Sequence, residues 1–123
     1  LARRREIARA YTEAFGGLDT IELLDVREFD AHAWHLFVIK LVNGNAKVER
    51  NALIEKLKDD GIGTSVHFIP LHMHPYYRKT YGHEPADFPV AKDIFDRCLS
   101  LPIYSTMSDG DIDRVIKSVC SHI

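Results

Sequence analysis

The segment 66–77, VHFIPLHMHPYY, places three histidines and two tyrosines close together along the chain. A neutral imidazole binds metal ions, and an imidazole or a phenol hydroxyl also hydrogen-bonds polar ligands. Two prolines in the same segment restrict its backbone. The composition of the segment therefore admits three interpretations: a metal site, a ligand-binding loop, or a crowded turn without chemistry.

A metal site in this segment would use His67, His72 and His74, because imidazole is a common protein ligand of zinc. Zinc sites need three or four converging ligands, usually with cysteine or carboxylate partners at short fixed intervals. Neither Cys98 nor Cys120 lies near the segment. We therefore expect no bound metal.

The second interpretation is a loop that binds a polar ligand. The segment leaves a predicted strand, and histidines at a strand end, with Tyr76 and Tyr77, suit a site that hydrogen-bonds a molecule such as a sugar. Pro70 and Pro75 fit equally well a stiff turn whose aromatic rings only cover a neighbouring surface. The residues alone leave both interpretations open.

Length and composition limit the kind of protein that carries this segment. The chain has 123 residues, of which 46% are hydrophobic, and this favours one compact domain. The formal charge is -2, with 16 basic and 18 acidic residues spread along the chain, so no basic field is available for nucleic acid. No apolar run reaches the roughly 20 residues of a membrane span, and no signal-peptide pattern opens the chain. We expect neither nucleic acid nor a membrane as a partner.

The two cysteines, Cys98 and Cys120, both lie among apolar residues in segments with a helical pattern. This context fits small buried thiols in a reducing compartment better than a disulfide framework. We therefore expect both thiols to be reduced and buried, and the protein to be cytoplasmic.

Two segments have the composition of strands. Residues 34–42, WHLFVIKLV, are rich in aromatic and β-branched side chains and predict a strand covered on most of both faces. Residues 64–69, TSVHFI, predict a second strand, ended by Pro70, which has no N–H group for a ladder. A polar loop over residues 72–87 follows, and a loop of this length in a compact domain is usually functional.

The chain opens with a helical pattern over residues 1–15. Apolar side chains lie on one face, and a cluster of arginines lies mostly around the other, where we expect it to face water. Gly16 and Gly17 then predict a helix end in the left-handed conformation.

Three further helices are expected. Residues 48–60 form an amphipathic pattern followed by a glycine, and another helix begins near Pro89. Ser108 and Asp111 resemble a capping box ahead of a C-terminal apolar stripe at helical spacing. Together with the strands, these helices predict an α+β fold, a small sheet with helices on one side.

Three stretches, AWHLFVIKL, RNALIEKLKDDGIGTSVHFIPLHMHPYYRKTYG and FPVAKDIFDRCLSLPIYSTMSDGDIDRVIKSV, follow one another at a characteristic spacing. In this order the chain resembles, over nearly its whole length, the C-terminal domain of the DegT/DnrJ/StrS family of pyridoxal-phosphate-dependent sugar aminotransferases. The resemblance implies the small domain of a fold-type I enzyme, with a mostly antiparallel sheet and helices packed on one face. The full-length protein would be a homodimer that moves an amino group from glutamate to a keto sugar attached to a nucleotide.

The same resemblance implies that the loop after the second strand approaches the active-site cleft from the small-domain side. It identifies five positions as substrate-binding, facing the sugar or the nucleotide and not acting as acid or base: His67, Phe68, His72, Tyr76 and Tyr77. His74 matches no fixed position of the family and is expected to face solvent. Trp34 and His35 are expected to pack in the core.

The cofactor is expected to bind outside this chain. In the family, a lysine of the N-terminal domain forms the Schiff base with pyridoxal phosphate, and the present chain lacks that domain. None of its own lysines matches that context: Lys40, Lys47, Lys56, Lys58, Lys79, Lys92 and Lys117. We therefore interpret residues 1–123 as a single C-terminal domain that is inactive alone, with residues 1–15 as the end of the interdomain helix.

Two other classes of protein stay open. One is a free-standing α+β module that binds a small molecule without chemistry, and the other is a metal-binding domain. The gene sequence upstream of Leu1 would separate them, because the family interpretation requires roughly two further domain lengths of protein there.

Overall fold

The computed structural model describes all residues from 1 to 123. It contains five α-helices: α1 (Ala2–Phe15), α2 (Arg50–Asp59), α3 (Pro75–Tyr81), α4 (Pro89–Arg97) and α5 (Asp109–His122). The three strands are β1 (Ile21–Leu23), β2 (Phe37–Leu41) and β3 (Cys98–Leu101), and 3₁₀ turns occupy Leu71–Met73 and Pro85–Asp87. None of the helices combines the length and the apolar composition that a membrane crossing requires.

The three strands form one antiparallel sheet in the order β1-β2-β3. Side chains alternate across a strand, and in β2 the buried ones are Phe37, Ile39 and Leu41. Leu99 and Leu101 of β3 lie in register with this set, and all five belong to one hydrophobic core together with residues of α1, α2 and α5. The prediction of an α+β fold with an antiparallel sheet is confirmed.

Helix α1 contributes its predicted apolar face to this core. Ile7, Ala8, Tyr11 and Phe15 are all fully buried. The Tyr11 hydroxyl donates a hydrogen bond to the carbonyl of Pro102 at 2.9 Å, and burial raises the pKa of this phenol. A large buried ring with a satisfied polar end anchors the helix against the end of β3.

Two of the four arginines of α1, Arg3 and Arg4, depart from the expected solvated face, whereas Arg9 is exposed as expected. The Arg3 guanidinium donates to the Met107 carbonyl at 2.8 Å and to the Asp109 carboxylate at 2.6 Å. Arg4 donates to the carbonyls of Trp34 and His35, both at 3.0 Å. The aliphatic parts of these arginine side chains lie along the protein surface, and their guanidinium groups bind backbone carbonyls. They connect α1 to two segments that are distant in sequence.

Glycines end the helices in two different ways. After α2 and α3, Gly61 and Gly82 adopt positive φ angles of 75° and 70°, as expected for a glycine that follows a helix. Gly16 is different, because its φ is -65°, so the predicted left-handed end of α1 is wrong. A Cβ atom at Gly16 would lie 2.7 Å from the Thr12 carbonyl oxygen. Close approach, and not the sign of φ, favours glycine here.

The predicted strand over residues 34–42 is shorter in the structure, where β2 covers Phe37–Leu41. Trp34 has a φ of 47°, which no strand residue adopts, and its ring nitrogen donates to the Phe29 carbonyl at 3.0 Å. Trp34 is 5% exposed and lies in the core as expected. His35 is exposed, so the core interpretation is wrong for that residue.

The predicted strand over residues 64–69 is reduced to one bridge. Ser65 and Ser100 exchange both backbone hydrogen bonds, at 2.8 and 3.2 Å, so this segment runs beside β3 without forming a regular strand. Pro70 ends the pairing as expected, because it offers no N–H group. The third strand of the sheet is β1, which the sequence pattern did not predict.

The two cysteines differ from each other. Cys98 is buried at the start of β3, and burial raises the pKa of its thiol. Cys120 lies on α5 and is exposed, so the expectation that both thiols are buried is wrong for Cys120. The helical pattern around Cys98 also ends one residue earlier than expected, because α4 stops at Arg97.

The expected long loop over residues 72–87 contains helical structure. Pro75 occupies the first turn of α3 and Gly82 follows its last residue, which is the arrangement that proline and glycine favour at helix ends. None of residues 73–97 is buried, although this segment includes both α3 and α4. The segment therefore lies outside the hydrophobic core.

Candidate functional site

His67 is held against the sheet. Its Nε2 atom lies 2.6 Å from the Ser100 hydroxyl oxygen of β3, and the side chain is half-buried. The Ser65–Ser100 bridge explains this contact, because residues 65 and 67 point to the same side of an extended segment. His67 therefore fixes the start of the loop against β3, and its imidazole ring lies at the edge of the loop.

Phe68 points away from His67 and is 97% exposed. A phenylalanine ring is seldom left wholly in water, because its burial is worth roughly 1.5–3 kcal/mol. Leu71 is also largely exposed. These side chains form an apolar rim on the loop predicted to bind substrate.

His72 is the buried member of the predicted site, with only 8% of its surface exposed. Its ring centroid lies 4.6 Å from that of Phe88. The His72 Nε2 atom is buried and has no hydrogen-bond partner in the chain. A buried polar atom without a partner costs about 1–3 kcal/mol, which is the kind of cost that functional sites retain.

A continuous run of rings extends from His72 through the helical segment. Successive centroids are 4.6 Å (His72 to Phe88), 5.3 Å (Phe88 to His83), 5.8 Å (His83 to Tyr81), 6.1 Å (Tyr81 to Tyr77) and 5.3 Å (Tyr77 to Tyr76) apart. We call these six residues the aromatic run. The distances match those of ring pairs that attract each other in proteins.

A shallow cavity of about 420 Å³ opens on one side of the aromatic run. Its lining includes Pro70, Leu71, His72, Tyr77, His83 and Phe88, and no charged carboxylate, ammonium or guanidinium group lines it. We call it the aromatic cavity. Polar contacts there come from two imidazoles and one phenol, within walls that are otherwise apolar.

The structure brings together only some of the predicted site residues. His72 and Tyr77 share the aromatic cavity, whereas His67, Phe68 and Tyr76 lie outside its lining. Tyr76 is 65% exposed and meets the cavity only through the edge of the Tyr77 ring, at an interplanar angle of 90°. The substrate-binding role of all five residues stays a prediction.

His83 and Phe88 belong to the same cavity but were not predicted from the sequence. The left-handed turn at Gly82 directs the chain back after α3, and this places His83 beside the Tyr81 ring. Phe88 directly precedes the proline that opens α4. The turn signals at Gly82 and Pro89 were visible in the sequence, but no spacing rule linked them to His72.

The three histidines of segment 66–77 do not converge. His67 contacts Ser100, His72 packs on Phe88, and the His74 Nε2 atom lies 3.0 Å from the Ile69 carbonyl oxygen. The chain has no group of three or more histidine, cysteine or acidic side chains positioned to hold a metal ion. His74 is half-buried, so the expectation that it faces solvent is met only in part.

Three of the seven lysines are engaged in ion pairs. Lys40 is ion-paired with Glu22 at 2.5 Å, and Lys58 and Lys92 are paired with acidic neighbours on their own helices. No lysine lines the aromatic cavity. The aromatic cavity therefore offers no amine for a Schiff base.

A second cavity, of about 700 Å³, lies at the N-terminus of α2 and is polar. Two of its charged side chains, Arg97 and Asp93, pair with each other, and Asp96 pairs with Lys92. Arg97 also donates to the Leu41 carbonyl, and the Arg50 guanidinium lies 5.3 Å from the centre of the Phe95 ring. The contact of Arg50 with Phe95 joins the start of α2 to α4 on one side of this cavity.

The fold and sequence of the chain match known aminotransferases. The family model for the DegT/DnrJ/EryC1/StrS aminotransferase family matches residues 1–120. The spore coat polysaccharide biosynthesis protein SpsC of Bacillus subtilis is 48% identical over 118 residues, which are 95% of this chain and 30% of SpsC. The uncharacterised protein MJ1066 of Methanocaldococcus jannaschii is 45% identical over 117 residues, again 95% of this chain and 30% of the relative.

Solved structures show the same likeness. The PLP form of the sugar aminotransferase Spr1654 from Streptococcus pneumoniae, described as putative, superposes with a TM-score of 0.81 at 27% identity, over 98% of this chain and 30% of that one. This chain spans about 30% of the length of the curated relatives that it matches. Since the family model covers almost all of it, the chain belongs to the DegT/DnrJ/EryC1/StrS aminotransferase family.

Proposed function

We propose that this chain is the C-terminal, substrate-side domain of a pyridoxal-phosphate-dependent aminotransferase that acts on keto sugars attached to a nucleotide. The observation that carries the proposal is the aromatic cavity, which lies on a family-matched domain and is lined by His72, a residue whose Nε2 atom is buried without a partner in the chain. The amino donor would be an amino acid such as glutamate.

The relatives support the chemistry in this proposal. SpsC is described as a protein of polysaccharide biosynthesis, and the Spr1654 structures include PLP and PMP forms. The DesV structure from S. venezuelae, which is 28% identical to this chain, holds a ketimine intermediate. Pyridoxal phosphate would supply the carrier of the amino group, bound by protein outside this chain.

We assign binding and no acid–base role to this chain. His72 and Tyr77 would hydrogen-bond the substrate within the aromatic cavity, while His67 would hold the loop on β3 and present its ring at the edge. Phe68 and Tyr76 would cover the substrate from the exposed rim. In this arrangement the domain orients the sugar nucleotide and excludes water.

The chain alone would be inactive under this proposal. It spans about 30% of its curated relatives, and none of its lysines lies at the cavity. Residues 1–15 would then form the end of a helix that joins this domain to the cofactor-binding one. The homodimer and the cytoplasmic location stay predictions.

The test is steady-state kinetics of the longer protein that carries both this domain and a cofactor-binding domain. The variants are His72→Ala and Tyr77→Phe. Each lost hydrogen bond should cost about 0.5–1.5 kcal/mol, or roughly 2- to 12-fold, and should raise KM for the sugar nucleotide while kcat changes little. Cofactor absorbance recorded in parallel should not change. Tyr104→Phe, on an exposed tyrosine outside the cavity, is the matched control.

Three results would contradict this function. Unchanged kinetics in both variants would remove the substrate role of the cavity. Loss of the cofactor absorbance would show that the loop holds the cofactor and not the substrate. A protein that transfers no amino group to any sugar nucleotide would remove the proposal as a whole.

A further inference from the structure

We propose that the aromatic cavity binds the nucleobase of the sugar nucleotide, with Phe88 and His83 as stacking residues that the family match does not assign. This inference rests on the proposed function and divides the substrate between two parts of the surface. The base would lie in the cavity, and the sugar would lie beyond its rim. The geometry, chemistry and size of the cavity each support this assignment.

The lining of the cavity selects an uncharged group. None of the lining side chains is acidic, and none is a lysine or an arginine. A diphosphate or a carboxylate would lose its water there without gaining a counter-charge, which is strongly unfavourable. Of the parts of a sugar nucleotide, the base is the uncharged, flat and partly apolar one.

The rings offer faces on which a base stacks. Phe88 is 44% exposed and packs against His72 at an interplanar angle of 39°, with the centroids 4.6 Å apart. The His83 ring lies nearly perpendicular to that of Phe88, at 86° with the centroids 5.3 Å apart, and both rings line the cavity. Every base has a π face, so aromatic side chains that are fixed by their neighbours form a stacking platform.

The polar groups of the cavity suit the edge of a base. His72 has a buried Nε2 atom without a partner, and a neutral imidazole provides one donor and one acceptor. Tyr77 and His83 add a hydroxyl and a second imidazole to the lining. Base edges carry alternating donors and acceptors, and a few directional groups within apolar walls are enough to orient a ligand.

A sugar fits the cavity less well. A hexose presents a hydroxyl on most of its carbons, and its burial requires many convergent hydrogen-bond partners. The cavity provides only two imidazoles and one phenol, with proline, leucine and phenylalanine between them. Its volume of about 420 Å³ lies within the roughly 300–1,000 Å³ of small-molecule sites, so a base fits without distortion.

The experiment uses the 123-residue chain, labelled with ¹⁵N and with ¹³C in its aromatic rings, and follows NMR shifts during titration. The probes are the thymidine, uridine, guanosine and adenosine 5′-diphosphates, with ribose 5-phosphate as the probe that lacks a base. At least one nucleotide should shift the ring signals of His72, His83 and Phe88, and ribose 5-phosphate should not.

Variants separate stacking from general apolar contact. Phe88→Leu should weaken the binding of the responsive nucleotide about fivefold or more, because stacking on an aromatic ring is lost. Phe88→Tyr keeps an aromatic ring and should bind the nucleotide as tightly as the unmodified chain. Tyr104→Leu replaces a ring of similar exposure outside the cavity and should leave affinity unchanged. Circular dichroism of each variant checks that the fold is retained.

Three outcomes would overturn the inference. These are no nucleotide binding, equal binding of ribose 5-phosphate, or shifts confined to residues outside the cavity. The proposed function has its own readout, because amino transfer by the longer protein would still depend on His72 if the sugar and not the base occupied the cavity. Failure of the two ideas is therefore distinguishable.

Discussion

At the scale of single residues, Asp60 shows how one carboxylate joins two helices. It follows α2 directly, and its Oδ2 atom accepts hydrogen bonds from the Ser118 hydroxyl at 2.5 Å and from His122 Nε2 at 2.9 Å, both on α5. The Ser118 hydrogen bond, followed by that of His122, holds the pKa of Asp60 below its usual value. The folded state therefore binds protons at this group less readily than the unfolded chain.

This pKa shift predicts a dependence of stability on pH. The contribution of Asp60 should be fully present above its unfolded pKa of about 4 and should be lost as pH falls through the lower folded pKa. The difference in urea midpoint between the unmodified chain and Asp60→Asn should thus shrink between about pH 5 and pH 2. Asp59→Asn, on an exposed neighbour without an ion pair, should show no such trend. A constant difference across this range would contradict the assignment.

Gly16 gives a second prediction at this scale. A Cβ atom there would lie 2.7 Å from the Thr12 carbonyl oxygen, whereas one at Gly17 would meet nothing within 4 Å. Gly16→Ala should therefore destabilise the chain by about 1 kcal/mol or more, because the backbone must shift. Gly17→Ala should be neutral or slightly stabilising. Urea denaturation of the pair measures both values, and equal effects would show that α1 relaxes freely at its end.

The residues that line the aromatic cavity were predictable from the sequence only where a local signal existed. His72 and Tyr77 were found because the segment was unusual in composition and matched a family pattern, and the structure places both in one cavity. His83 and Phe88 were missed because what joins them to His72 is the turn at Gly82 and the packing of rings. Such contacts are tertiary, and no spacing along the chain encodes them.

At the scale of elements, α5 is the helix whose ends the sequence predicted best. Ser108 Oγ accepts from the Asp111 N–H group at 3.1 Å, and the Asp111 carboxylate accepts from the Ser108 N–H group at 3.0 Å. These reciprocal bonds are the capping box that the sequence predicted. The Ser108 hydroxyl also lowers the pKa of Asp111.

Removal of this cap should destabilise the helix. Ser108→Ala should lower the free energy of unfolding by about 0.5–2 kcal/mol, because the N–H group of Asp111 loses its partner. Ser105→Ala, in the exposed turn before the helix, is the matched control and should change it by less than about 0.5 kcal/mol. Thermal and urea unfolding of both variants checks this, and similar losses in the two would mean that the cap contributes little.

The strands were predicted less well than the helices, for physical reasons. The β1 strand has three residues, too few to show the alternation that identifies a strand. Residues 64–69 have strand composition, but only Ser65 finds a pairing partner, Ser100, and in this antiparallel register residues 68 and 69 lie beyond the start of β3 at Cys98. Trp34 has aromatic strand character, yet the hydrogen bond of its ring to Phe29 holds the backbone at a positive φ. For residues 64–69 and for Trp34, tertiary contacts overrode the local preference for a strand.

At the scale of the whole molecule, the family match and the lysine contacts predict the behaviour of the chain toward the cofactor. Added pyridoxal phosphate should produce no stoichiometric visible absorption band, because no lysine lies at the cavity and three are held in ion pairs. Borohydride treatment followed by mass spectrometry should find no single modified lysine. One lysine labelled in full would contradict this and would require a cofactor site within the chain.

The distribution of burial also has a consequence for motion. Because no residue from 73 to 97 is buried, α3 and α4 have only partly covered side chains to resist local opening. Their amides should exchange with deuterium well before those of α1, α2 and α5, as a separate unit of low opening free energy. A ligand that binds only the ordered form of this unit stabilises it against local opening. Slower deuterium exchange in residues 73–97 would therefore report that the cavity is occupied, even where the exchange of core amides does not change.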